Sequence, residues 1–473
     1  MGTGAAFWVL LLGAAGVGLW RWRSAIALAM LLLVFEGALR KWVWPEGQQL
    51  LYFLKDSMLI GAYVGFVLRE GAVIKAGRMV ALLTLSLVAA IYGALELFNE
   101  GLPSMLMGLL GWKAYFLYVP LVVLVPHLVR RGDDLEHVLR RYLLLVIGIA
   151  GLGLLQFYSP AGSVLNVYAR GGEGADMALF GEAFYVRATG TFAYVTGFST
   201  YLLAMGLVAL GLLGGMSWRM KKNWLVLTAL VAACGGMLTT GSRAPVYSLI
   251  AAAVIYVVIA TSRGDIAVRH GFRLGAIAGL ALVAVIAFFE EPAKAFRYRV
   301  SSADVASERL FAVVEETLAV ADAAGVFGYG IGTMHQGSQV IMGGGVRWWA
   351  GGIEVESEPA KIILELGIVG FLLVYVVRAL LVVHARGLVL RGRLRRYRNL
   401  GAVLAAYFIV SLPSSVVFNP TADMYYWFGA GLLYLAMYLD GQESRRPQRV
   451  VHPAGPLEAA PESTARAKPL LRR

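Results

Sequence analysis

The sequence predicts an all-α fold: a polytopic transmembrane bundle of about 12–13 helices, with a large outward loop carrying short helices of its own. Three observations lead there. The 473 residues are 59% hydrophobic and only 15% charged, with a mean hydropathy of +0.69, whereas soluble domains are about 25% charged. Apolar runs of roughly the twenty residues that cross a bilayer recur from end to end. Basic residues gather in alternate loops, so the net charge of +13 reads as membrane topology and not as a nucleic-acid footprint. The one cysteine, Cys234, lies in an apolar run, which excludes a disulfide framework and a thiolate metal cluster.

In chain order, apolar spans lie near 4–20, 24–39, 49–68, 79–97, 112–129, 142–158, 191–215, 223–238, 245–261, 272–289, 359–383, 399–415 and 424–439. Together they make residues 1–440 one bundle. No small-residue cleavage site follows any span, so no removable signal peptide is expected. The basic loops hold Arg21 and Arg23; Arg69, Lys75 and Arg78; Arg130, Arg131, Arg140 and Arg141; Arg219, Lys221 and Lys222; Arg263, Arg269 and Arg273; and the dense run Arg386–Arg398. The positive-inside rule makes these cytoplasmic. The loops 159–190 and 290–358 then face outward and are too long for simple turns. The segment 441–473, rich in Pro, Ala and charge, is expected to be a disordered cytoplasmic tail. Cytoplasmic loops are short, which leaves no domain for a nucleotide, and no internal repeat of the transporter kind is visible. Glu36 with Arg40, and Lys55 with Asp56, place charge inside spans at about 2.5–3.5 kcal/mol each on insertion scales. They either pair with one another or line a groove for a lipid diphosphate.

The outward loop 290–358 opens with a helical pattern. Leu310, Val313, Val314, Leu318 and Ala321 recur at helical spacing over Ser307–Ala324, with Ser307 as its N-cap. Arg309 sits in the first turn, where a cation opposes the helix dipole and invites an anion; Glu308 or Asp304 could supply one locally. The stretch Gly328-Tyr329-Gly330-Ile331-Gly332 follows a helix and precedes a loop, so it lacks the βαβ context of a dinucleotide fingerprint. Its glycines suit close backbone approach to a ligand, and suit a tight turn equally. Tyr329, Trp348 and Trp349 offer flat faces for sugar rings or anchors for the membrane interface. Glu354, Glu356 and Glu358 then crowd the mouth of the next span, where Lys361 and Glu365 are the last charges before Arg378.

A short outward hairpin, Thr239-Thr240-Gly241-Ser242-Arg243-Ala244-Pro245, joins two spans. Pro245 suits the first turn of the second. Arg243 is thereby held at the bilayer boundary. A planar guanidinium matches two oxygens of a diphosphate, and an arginine snorkelling to lipid head groups fits the same placement.

The TGSR hairpin, the outward loop ending GYGIG and the ELGIVG stretch of the next span together resemble the bacterial O-antigen polymerase and O-antigen ligase superfamily. The resemblance covers about 185–375, and more loosely EGALRKW at Glu36–Trp42 and YFLKD at Tyr52–Asp56. It implies a membrane glycosyltransferase acting on undecaprenyl-diphosphate-linked glycans. Arg243 and Arg309 fall on the family's arginines, and Glu365, Gly367 and Gly370 match its ElGxxG signature. Where ligases and many polymerases carry His-Asn, nine and eight residues before that glutamate, this chain has Glu356 and Ser357. His335, farther upstream on the same loop, is not an obvious replacement. The substitution weakens the ligase reading more than the superfamily reading, because a carboxylate can act as base where an imidazole did.

The chemistry asks for stabilisation of a departing diphosphate, a base for the acceptor hydroxyl and a groove for sugars. Arginines at the membrane edge meet the first need. Glu356 or Glu358, crowded and partly desolvated, would be a base of raised pKa. The expected site is therefore Arg243, Arg309, Glu356 and Glu358 as catalytic groups. Ser242, Tyr329, Gly330, Gly332, His335, Trp348 and Trp349 are expected to bind substrate, with no metal and no cofactor. The expected partners are an undecaprenyl-diphosphate-linked oligosaccharide, membrane lipids and other polysaccharide-assembly proteins, with no nucleic acid. The expected location is the bacterial inner membrane, with the site facing the periplasm. Polymerase is the first reading and ligase, with a lipid or protein acceptor, the second. A transporter or lipid flippase would show repeated halves, broken helices and mid-membrane charges; a non-catalytic assembly protein on the same scaffold is a third class.

Overall fold

The computed structural model describes residues 2–71, 77–168, 178–215, 220–261, 285, 287, 289–301, 306–335 and 355–445. Its helices are α1 (Gly2–Trp20), α2 (Trp22–Ala38), α3 (Gln48–Glu70), α4 (Arg78–Leu95), α5 (Met105–Phe116), α6 (Leu121–Leu124) and α7 (Gly132–Tyr158), followed by α8 (Val195–Gly215), α9 (Met220–Thr239) and α10 (Arg243–Thr261). Next come α11 (Glu290–Ser301) and α12 (Ala306–Ala324). The chain then returns as α13 (Glu358–Arg391), α14 (Arg395–Val410) and α15 (Pro420–Glu443). Strands are confined, among the described residues, to one hairpin of β1 (Leu179–Phe180) and β2 (Tyr185–Val186), with Leu179 opposite Val186. A lipid-embedded backbone must satisfy its own polar groups, so long apolar sequence becomes helix. Among the described residues, eight helical segments are long and apolar enough to cross a membrane, and Phe7–Trp20 and Asn223–Thr239 are shorter apolar helices.

Departures from the expected spans have local causes. The run expected at 112–129 begins earlier, at Met105, and breaks after Phe116 into a turn ending at Pro120, whose ring cannot continue the hydrogen-bond ladder. Helix α7 starts at Gly132, well before the expected 142, because its first turns are charged and still helical. Helix α13 runs on to Arg391 for the same reason. The span expected at 272–289 lies outside the described residues except at 285, 287 and 289. Helix α12 starts at Ala306, which places Ser307 inside the helix and not at its cap. Helix α15 continues past the expected bundle end to Glu443, and residues 446–473 lie outside the described part.

Contacts between loops sort onto two faces. On one, Arg23 meets Glu70 at 2.7 Å, Arg396 meets Asp133 at 2.8 Å, and Asp440 accepts from the backbone N–H of Leu394 at 2.7 Å. On the other, the Trp42 indole donates to Val164 at 2.9 Å, Ala188 N–H donates to Thr239 at 3.0 Å, and the Tyr185 hydroxyl donates to Glu291 at 3.4 Å. The contacts on the first face involve Arg/Lys-rich loops, and those on the second involve the described parts of the long ones. Small residues bring α1 and α3 into backbone contact: a Cβ on Gly65 would lie 2.5 Å from the Leu19 carbonyl oxygen.

Candidate functional site

The loop-bearing face is organised by a strap, Arg187–Thr191, that ties three helices and a hairpin. Ala188 N–H reaches Thr239 of α9. Gln156 of α7 accepts from the N–H of Thr189 at 3.1 Å and of Gly190 at 2.7 Å, and the Thr191 hydroxyl donates to Val34 of α2 at 2.6 Å. Arg187 then fixes the TGSR hairpin, donating to the Thr240 carbonyl at 2.9 Å and to the Ser242 hydroxyl at 2.7 Å. Gly241 turns the hairpin with φ +62, and its α-carbon faces the Phe180 ring so closely that a Cβ would sit 2.8 Å away. Ser242 is therefore already engaged by Arg187. Arg243, half-buried at the start of α10, has no hydrogen bond or ion pair among the described residues.

Other cations stand on the same strap. Lys41 is 4% exposed, and its ammonium donates to the Thr189 hydroxyl at 2.9 Å and the Gly190 carbonyl at 2.7 Å over the Trp42 ring. None of its acceptors is a carboxylate. Burial, with Arg299 nearby, lowers the pKa of Arg187. Arg187 and Lys41 were not among the residues expected from sequence. Their partners lie 55 and 148 positions away, and only the buried lysine within EGALRKW gave a local hint.

The glycine loop has a different role from either of those its spacing suggested. Gly328, Gly330 and Gly332 all have positive φ. Helix α13 is broken at Gly367 (φ 63, ψ −170), inside the ELGIVG stretch. The backbone groups freed by that break are answered by the loop: Tyr329 N–H donates to Leu364 at 2.8 Å and Gly330 N–H to Glu365 at 3.0 Å. In return, Ile368 N–H donates to Gly325 at 3.2 Å and Val369 N–H to Val326 at 3.3 Å. A Cβ on Gly328 would lie 2.5 Å from Gly367 N. Glu365, fully buried, accepts from Met334 N–H at 2.7 Å and fastens the far end of the loop. The GYGIG and ELGIVG stretches thus serve each other. Gly330 and Gly332 are buried against the α4–α5 turn and α5, and the Tyr329 hydroxyl donates to the Ala323 carbonyl at the end of α12.

The carboxylates expected to crowd together go separate ways. Glu316 of α12 accepts from the N–H of Glu356 at 2.5 Å and of Ser357 at 2.9 Å, capping the start of α13. Glu356 itself is exposed. Glu358 is 2% exposed; it pairs with Arg378 at 2.5 Å and accepts from Val417 N–H at 2.7 Å and Phe418 N–H at 3.3 Å. Its oxygens are committed to holding α13 against the α14–α15 loop, which argues against Glu358 as a free base. No hydrogen bond or ion pair joins Arg243 to Glu356 or Glu358 among the described residues. Glu354, Trp348 and Trp349 lie outside the described residues. The backbone of Arg309 opens α12, and its side chain is likewise outside the described part.

His335 closes the loop, its N–H donating to Gly332 at 3.1 Å. Burial, with Lys113 as the second cause, lowers its pKa to about 4. An imidazole held this way is neutral at pH 7 and a weak proton acceptor. Among the described residues no three His, Cys, Asp or Glu groups are placed to hold a metal ion. No known protein family matches the sequence, and no curated protein matches it.

Proposed function

We propose that the chain is a bacterial inner-membrane glycosyltransferase that polymerises undecaprenyl-diphosphate-linked oligosaccharide at the outward face, transfer to another acceptor being the variant of the same chemistry. The supporting observation is Arg243, a half-buried guanidinium without a partner among the described residues, set on a hairpin braced by a second arginine, Arg187. Fixed positive charge at a membrane edge suits a departing diphosphate. In this reading the acceptor hydroxyl oxygen forms a bond to the donor sugar's anomeric carbon as the bond from that carbon to the diphosphate oxygen breaks. The diphosphate leaves with the electron pair beside Arg243, and the hydroxyl proton passes to Glu356, the exposed carboxylate at the helix mouth.

Polymer formation from purified lipid-linked repeat units tests this. Arg243→Lys is expected to lower turnover by about 10²–10³-fold, since a point charge does not replace a two-pronged donor. Wild-type output from Arg243→Ala at equal protein level would overturn the diphosphate role. Glu356→Gln is expected to lower turnover by about 10²–10⁴-fold, the usual worth of general-base assistance.

A broken helix and buried charges favour a second reading, transport of a lipid-linked saccharide. At Gly367, however, the freed backbone groups are bonded to residues 325–330, which leaves those groups closed to a substrate. Flux of labelled lipid-linked saccharide through proteoliposomes without polymer formation would establish the transport reading instead.

A further inference from the structure

Helices α4, α5, α13 and α15 and the α14–α15 loop enclose a cavity of about 30 Å³. Five of its lining side chains present buried polar atoms that have no hydrogen-bond partner among the described residues: Ser86 Oγ, Tyr115 Oη, Arg378 Nη1, Asp423 Oδ2 and Tyr426 Oη. They come from four helices and line one space. A water needs roughly 10–15 Å³ of such space and makes about three hydrogen bonds to otherwise unanswered groups. The volume and the donor set therefore suit about two waters.

Charge defines what else the cavity holds. Arg378 is committed to Glu358 at 2.5 Å. Asp423 is 2% exposed, and no Lys or Arg nitrogen lies within 4.0 Å of its carboxylate among the described residues. The groups near enough to feel its charge are Glu358 and Arg378 of α13, Lys113 of α5, Tyr63 of α3, Tyr118 in the α5–α6 turn, Tyr407 of α14 and Tyr426 of α15. Trp427 is its hydrogen-bonding neighbour. An unpaired carboxylate among such neighbours escapes the cost of burial by taking up a proton. The guanidinium in the same wall opposes a metal cation. We infer that this cavity is a hydrated proton-binding site, in which ordered water joins Ser86, Arg378 and Tyr426 to Asp423, held there as a carboxylic acid. Tyr115 also feels the charge of Glu365, so the site adjoins a second carboxyl without a cation, that of Glu365 on α13. The inference is independent of the transferase reading.

Infrared spectroscopy of the full chain in lipid nanodiscs at neutral pH tests it without any activity. The expected result is a carboxylic C=O band that disappears in Asp423→Asn, persists in Glu365→Gln and shifts on exchange into D2O. A carboxyl spectrum unchanged by Asp423→Asn would mean an ionised Asp423 and would overturn the proposal, as would a band that stays unshifted in D2O. If Asp423→Asn does not accumulate, Asp423→Glu should keep the band at a displaced frequency, and absence of any displacement overturns the assignment. Ala89, 5% exposed, lines the same space. Ala89→Leu should fill it and slow the D2O shift, and an unchanged rate would count against water at this place.

Discussion

Between α2, α3 and α5 the buried charges close on themselves; between α13 and α15 they do not. In the first cluster Glu36 takes Arg40 at 3.3 Å and Lys55 at 2.7 Å, while Asp56 takes Lys113 at 2.6 Å and the Tyr118 hydroxyl at 2.8 Å. The Tyr52 ring lies under Lys55 at 4.9 Å and Lys113 at 4.1 Å. Each carboxylate has at least two partners, and the pairs share Lys55, 3.9 Å from Asp56. In the second cluster one pair, Glu358 with Arg378, stands beside Asp423 and Glu365, which have no cation in ion-pair range among the described residues. The contrast sets carboxylates that share a chain of cations beside carboxylates that no cation among the described residues answers. A chain of pairs shares the loss of any member. A lone pair does not.

That difference fixes the order of expected mutational effects. Arg378→Met leaves Glu358 buried without its cation, which typically costs about 3–5 kcal/mol; thermal unfolding of the purified protein should show it as the largest loss. Adding Glu358→Gln should recover much of it, because the amide oxygen can still accept from Val417 and Phe418. Lys55→Met should cost less, about 1–3 kcal/mol, the usual penalty for leaving a polar group short of one partner. Glu36 keeps Arg40 and Asp56 keeps Lys113. A Lys55→Met loss equal to that of Arg378→Met would erase the distinction between the clusters.

The spans, the charge alternation and the pairing of Glu36 with its neighbours were legible in the sequence because each depends on residues close together or on bulk apolarity. Helix ends at polar turns were not, as at Asp133–Arg141 of α7, because hydropathy does not see a charged helix. The break at Gly367 was invisible for a different reason. ELGIVG reads as uninterrupted apolar helix, and the compensating bonds come from Gly325–Gly330, outside the span. The same distance hid Arg187 behind Arg243, and it hid the partner of Glu358, twenty positions away at Arg378. Three glutamates in a row looked crowded, yet one carboxylate points to solvent and another into a buried pair. Proximity in sequence was a poor guide to proximity of side chains there.

The smallest expected effect sharpens the comparison at its edge, where His335 meets Lys113 of the closed cluster. Folding lowers the pKa of His335 to about 4, first through burial and second through Lys113, from roughly 6.5 in the unfolded chain. Between those values the unfolded state binds more protons, so stability rises with pH through that window. The contribution is complete above about 6.5 and is lost as pH falls toward 4. His335→Gln should therefore flatten the acid side of the stability profile and leave it nearly unchanged above pH 7, as read from unfolding temperatures of both proteins across that range. If the imidazole were instead a working base, the variant would lose activity at pH 7 with its acid stability unaltered. A parallel pair of stability curves would show that Lys113 and burial do not act on His335, and that the closed cluster ends at Asp56.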